Sequence, residues 1–154
     1  MKVSAGDQAP HFFAPDQHGH VRTSEEFRDN WLLLYFYPRD NTPGCTKEAC
    51  TLRDHYDSLK RLMSVVGVSA SGIQSHARFA AKHELPFTLL ADPGRRIINA
   101  YGANGIPYAK RTSFLIDPSG IIVKVYQKVK PAEHAADLLD EFQDIVDSVW
   151  QTTQ

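Results

Sequence analysis

Apolar residues run without a break through Trp31, Leu32, Leu33, Leu34, Tyr35, Phe36 and Tyr37 up to Pro38, as expected of a strand buried on both faces. From Pro43 the period changes. Cys45, Ala49, Leu52, Tyr56, Leu59 and Met63 recur at steps of four and three, which predicts one amphipathic helix over 43–63. Thr42 is suited to its N-cap and Pro43 to its first position. A second buried strand is expected at 64–69, a helix at 75–83 that includes Ala77, Ala80 and Ala81, a third strand at 86–90 and a short helix at 95–101. Residues 112–116 and 121–126 flank Asp117-Pro118-Ser119-Gly120, a hairpin signal. A long helix at 131–150 carries Ala135, Leu138, Leu139, Phe142, Ile145, Val146 and Val149 on one face. Near the start, 11–14 and 21–23 read as short extended pieces around Gly19, followed by one helical turn at 23–28. The order β-α-β-α-β, then a hairpin and a helix, predicts a three-layer α/β/α sandwich with a central mixed β-sheet.

The chain of 154 residues shows no repeat, linker or low-complexity stretch, so 1–154 is expected to be a single domain. A domain of this size buries close to ~70% of the surface its unfolded chain exposes, and needs no disulfide for stability. The formal net charge of −1, without any like-charge block, makes nucleic acid and anionic membrane surfaces poor partners. The first residues contain no apolar signal segment, and no run reaches membrane-spanning length. The expected setting is cytoplasmic. There a persistent structural disulfide is disfavoured, and Cys45 and Cys50, both of the chain's cysteines, are free for chemistry.

Cys45 stands where a buried strand leaves through a Pro/Gly turn into a helix. This is how α/β proteins present a nucleophile at the carboxyl edge of a sheet. At the third helical position its thiolate is favoured by free backbone N–H groups, which can also hold an oxygen of a bound peroxide. Gly44 allows close backbone approach, and the Thr42 hydroxyl lies in the same turn. A guanidinium adding fixed positive charge must come from elsewhere in the chain. Cys50 lies five residues on. In an intact helix that spacing separates the Cα atoms by roughly 8.6 Å and turns the side chains roughly 140° apart, whereas a disulfide needs Cα atoms about 4.4–6.8 Å apart. If the two cysteines bond, the first turns of the helix must unwind.

Blander readings remain open at this point. Free cysteines are often buried spectators, and Cys45 is in line with the apolar stripe; Cys50 is off it. Zinc is disfavoured, because C-x₄-C is not a zinc spacing and no second pair exists. His18 and His20 read as a solvated turn, and the seven histidines as scattered, mostly in turns or on helix surfaces. Arg95 and Arg96 read as a solvated helix start, and Trp31 and Trp150 as packing residues. A disulfide oxidoreductase would carry C-x-x-C, which is absent. A redox-responsive binding protein and a metal carrier are further rivals.

Tyr37-Pro38-Arg39-Asp40-Asn41-Thr42-Pro43-Gly44-Cys45-Thr46-Lys47-Glu48-Ala49-Cys50 resembles the active-site signature of the peroxiredoxins, in its peroxiredoxin Q or bacterioferritin comigratory protein branch. Gly6-Asp7-x-Ala9-Pro10-x-Phe12 and Arg111-Thr112-Ser113-Phe114-Leu115-Ile116-Asp117 extend the likeness over most of the chain. The resemblance implies a thioredoxin-like fold and an antioxidant thiol peroxidase without cofactor or metal, acting on hydrogen peroxide and organic hydroperoxides. Cys45 then matches the peroxidatic cysteine and Cys50 the resolving cysteine, joined in a transient disulfide. Thr42 and Arg111 match the polar pair around the peroxide, Pro38 the residue that shields the pocket, and Glu48 a carboxylate that orients the arginine. Re-reduction by thioredoxin and a monomeric state are implied in the same way.

Overall fold

In the computed structural model, which describes residues 3–153 and side chains as far as Val149, five strands form a central mixed sheet. The chain begins with a two-stranded arm, β1 (Phe13–Pro15) and β2 (Val21–Thr23), followed by a 3₁₀ turn at Ser24–Phe27. Then come β3 (Leu32–Phe36), α1 (Pro43–Asp54), α2 (Tyr56–Leu59), β4 (Ser64–Ser69), α3 (Ile73–Lys82), β5 (Thr88–Ala91) and α4 (Arg96–Ala100). The hairpin β6 (Thr112–Ile116) and β7 (Ile122–Tyr126) leads into α5 (His134–Thr153). The strand order is β5-β4-β3-β6-β7. β3 pairs parallel with β4 and antiparallel with β6. The expected mixed sheet is present, and the fold is α/β of the thioredoxin-like kind.

The continuous apolar run of β3 is explained by burial on both faces. Leu33 and Tyr35 point into one core with Ala49 and Leu52 of α1, Phe79 of α3, and Ala135, Leu138 and Phe142 of α5. Leu32, Leu34 and Phe36 point into the other, with Phe12, Phe114, Ile97, Ile98 and Tyr101. Period-2 alternation therefore divides one strand between two helical layers. Trp31 meets Phe142 edge-on at 5.2 Å; the Trp150 side chain lies outside the described residues.

Three sequence expectations change. The helix expected over 43–63 breaks at His55, which leaves helical geometry (φ −100°, ψ 6°) and sets its ring Nδ1 2.9 Å from the Thr51 carbonyl. The stripe nonetheless continues, because α2 and the following turn keep Leu59 and Met63 buried. Two histidines belong to the interior instead of the surface. His76 is fully buried, in line with Phe79 and Ala80 at steps of three and four, and His134 at the start of α5 sits 2.9 Å from the Ser113 hydroxyl. Burial pushes the His134 imidazole down to about 4, so it stays neutral. Arg95 is only partly solvated, because its guanidinium donates to the Gly105 and Pro107 carbonyls, whereas Arg96 is exposed as expected.

Gly67 of β4 lies directly across from Tyr35. A Cβ there would come within 2.8 Å of the Tyr35 ring and 2.9 Å of Leu89. Gly67→Ala should therefore destabilise the protein by about 1–3 kcal/mol in urea unfolding. A change below ~0.5 kcal/mol would show that the two rows slide apart at no cost.

Candidate active site

The strand β3 ends at Phe36, yet the Tyr37 N–H still donates to the Val68 carbonyl, so the turn that follows departs from a rigid edge. Pro38 is half-buried and Asp40 points inward. Asn41 takes a left-handed conformation (φ 61°), which asparagine tolerates better than most residues. Thr42 then occupies the N-cap position of α1 with extended backbone geometry. Its hydroxyl does not cap the helix, contrary to expectation: it donates back to the Arg39 carbonyl at 2.9 Å. The first backbone N–H groups of α1 thus receive no bond from the Thr42 side chain, whose oxygen keeps its lone pairs for another donor.

Cys45 follows Pro43 and Gly44 as the third residue of α1 and is buried, with 1% of its surface exposed. Two N–H donors converge on its sulfur. The Arg39 backbone N–H lies 3.5 Å from Sγ, and Arg111 Nη2 lies at the same distance. Arg111 immediately precedes β6. Because Thr112 pairs with Phe36 across the antiparallel ladder, Arg111 is delivered to the level at which the chain leaves β3. The required distant guanidinium is therefore supplied by strand register. Gly44 makes room for it: a Cβ at that position would stand 2.8 Å from Arg111 Nη2.

Glu48 completes the cluster one turn along α1. Its Oε1 accepts from Arg111 Nη1 at 2.8 Å, and the carboxylate side chain is 1% exposed. Desolvation pushes the carboxyl up to about 7, against the pull of the Arg111 charge. Its Oε2 and the Tyr35 hydroxyl are buried without a hydrogen-bond partner among the described residues. Burial, with Glu48 and Cys45 nearby, drives the Tyr35 phenol well above its usual value. Cys50 is half-buried further along the same helix, and both thiols are free. The structure thus brings Thr42, Gly44, Cys45, Glu48 and Arg111 together and keeps Cys50 apart on an intact α1. Sequence reasoning missed the Arg39 N–H, since a backbone donor carries no residue-type signal. Among the described residues no group of three or more His, Cys, Asp or Glu side chains is placed to hold a metal ion.

A strand-to-helix turn carrying a buried thiol against a guanidinium, on a five-stranded mixed sheet, is the arrangement of a thiol-dependent peroxidase. Residues 5–125 match the AhpC/TSA family, and the chain belongs to that family as a peroxiredoxin of the Bcp or Q type. It is 36% identical over 154 residues to peroxiredoxin Bcp of Bacillus subtilis, covering 94% of this chain and 98% of that one. The crystal structure of peroxidoxin BcpB from Mycobacterium tuberculosis superposes with a TM-score of 0.86 at 32% identity, covering 93% of this chain and 98% of the other. The bacterioferritin comigratory protein of Xanthomonas campestris, whose structure was described in terms of alkyl peroxide reduction, matches with a TM-score of 0.81 at 27% identity, over 86% of this chain and 90% of that one.

A carboxyl raised from 4.5 to about 7 holds, between those two values, a proton that the unfolded chain has released. Its contribution to stability is therefore full below about 4.5 and is lost as pH rises toward 7. Relative to Glu48→Gln, the wild type should lose about 2–3 kcal/mol of unfolding free energy between pH 5 and pH 8. Urea unfolding at four pH values measures this. A wild-type advantage that grows with pH would mean that the Arg111 pairing outweighs desolvation.

Proposed function

We propose that Cys45 is the nucleophile that reduces hydrogen peroxide and organic hydroperoxides, and that Cys50 resolves the product. The observation that carries this reading is the convergence of Arg111 Nη2 and the Arg39 N–H on the buried Cys45 sulfur at 3.5 Å, at a helix N-terminus. Both donors point at the sulfur, and the same donors can hold the peroxide oxygens. Thr42, whose hydrogen is committed to the Arg39 carbonyl, accepts a hydrogen bond from the peroxide O–H. Glu48 fixes the guanidinium plane through its 2.8 Å contact. Pro38 shields the pocket from water.

In the first step the Cys45 thiolate attacks one peroxide oxygen. An S–O bond forms, the O–O bond breaks, and the departing hydroxide or alkoxide leaves as water or alcohol after taking a proton. Cys45 becomes a sulfenic acid. In the second step the Cys50 thiol attacks the Cys45 sulfur, forming the disulfide and releasing the sulfenic oxygen as water. Because α1 holds the two thiols on different faces, its first turns open for this step. A dithiol reductant of the thioredoxin kind then returns both thiols. The alkyl peroxide reduction described for the Xanthomonas campestris relative supports organic hydroperoxides as substrates. Among the described residues no helix is long and apolar enough to cross a membrane. A monomer working in a reducing cytoplasm, where a catalytic disulfide is transient, belongs to the same reading.

Mixing reduced protein with one equivalent of micromolar hydrogen peroxide tests the assignment. Wild type should lose two thiols within seconds. Cys45→Ser should react no faster than free cysteine, and Cys50→Ser should lose one thiol and stall as sulfenic acid or over-oxidise. Normal turnover of Cys50→Ser with thioredoxin would remove the resolving role.

A further inference from the structure

Behind the pocket turn lies a buried polar cluster that the peroxide chemistry above does not use. Asp40 is 5% exposed and accepts three side-chain hydrogen bonds. Tyr37 Oη donates to its Oδ1 at 2.6 Å, and Ser75 Oγ donates to its Oδ2 at 2.7 Å. His76 Nδ1 also lies 2.7 Å from Oδ2, and the His76 ring is fully buried. On its other side, His76 Nε2 is 3.0 Å from the carbonyl of Leu90 in β5. The His76 ring is thus held from both sides, at Nδ1 by the Asp40 carboxylate and at Nε2 by the Leu90 carbonyl. Desolvation works against the Asp40 charge, but the donors from His76, Tyr37 and Ser75 hold its carboxyl below the usual range. The Asp40 N–H reaches the Ser71 hydroxyl at 3.4 Å. These contacts tie one turn residue to the β4–α3 loop, to α3 and to β5.

The tie matters because of what flanks Asp40. Arg39, its predecessor, supplies the N–H on Cys45 Sγ and the carbonyl that holds the Thr42 hydroxyl. Asn41, its successor, carries the left-handed bend that starts α1. A backbone turned through this bend has no regular ladder to hold it, and the side chain of Asp40 fixes it instead. We propose that Asp40 and His76 form a positioning pair, which holds the Arg39 N–H and the Thr42 hydroxyl in register with the Cys45 thiol for attack on the peroxide. Neither residue touches the reacting atoms. This rests on Cys45 being the attacking thiol. It predicts loss of the peroxide reaction without loss of ordinary thiol chemistry, since placing two donors around an O–O bond demands more geometry than alkylating a sulfur.

Asp40→Asn, His76→Gln and the double variant should be compared with wild type in two reactions of the reduced protein: with hydrogen peroxide and with iodoacetamide. Both are read as rate constants at Cys45 per folded molecule, the folded fraction being taken from unfolding curves. Each single variant should lose tenfold or more in the peroxide rate while the iodoacetamide rate stays within about threefold. The double variant should fall no further than the worse single variant, because the two residues act as one unit. Ser75→Ala, which removes one donor from Asp40 and leaves the pair, should lose two- to fivefold and remains informative if the pair variants fold poorly. Peroxide rates within twofold of wild type in all variants, or equal losses in both reactions, would overturn the positioning role. A Cys45→Ser control that still consumed peroxide would instead overturn the underlying reading.

Discussion

A thiol buried in the first turn of a helix, with a guanidinium pressed against it from a distant strand, is the constraint around which this molecule is arranged. Arg111 Nη2 and the Arg39 N–H converge on its sulfur at 3.5 Å, at the N-terminal end of α1. Each of these donors depends on structure far from Cys45 in sequence. The guanidinium arrives through the antiparallel register of β3 with β6, is oriented by Glu48, and is given space by the missing side chain of Gly44. The backbone donor arrives through a turn whose inward aspartate is held by α3 and β5.

The same helix imposes a conflict. While α1 is formed it holds the Cys45 sulfur against its two donors, and it also keeps Cys50 out of disulfide range. On the proposed reading, attack by Cys45 and resolution by Cys50 require different conformations of one segment. The break at His55 confines α1 to twelve residues, so an opening of its first turns need not propagate into α2 or β4. Burial of Glu48 adds a second tension, since desolvation pushes its carboxyl up to about 7 while the Arg111 charge pulls it down.

The strands and most helices were legible because burial on two faces and amphipathic periodicity leave strong local patterns: 31–37, 64–69 and the stripe from Ala135 to Val149 all correspond to elements. The boundary at His55 was not legible, because the apolar stripe continues across it while the backbone does not. His76 and His134 were read as surface residues, since a polar side chain whose partner is a buried Asp40 or Ser113 looks no different in sequence from a solvated one. At the site, the Thr-Pro-Gly-Cys turn announced the thiol. Arg111 was reached through the family likeness, and Glu48 with it, because no local pattern encodes a contact across a sheet. The Arg39 N–H and the reversed Thr42 hydroxyl lay beyond any residue-type signal.

The most direct test of the account is hydrogen exchange across residues 43–50 before and after one equivalent of hydrogen peroxide, with the disulfide mapped in the same sample. The account predicts a Cys45–Cys50 disulfide accompanied by loss of amide protection in those first turns of α1, with protection restored by a dithiol. A Cys45–Cys50 disulfide that forms while this segment keeps its full protection would contradict it.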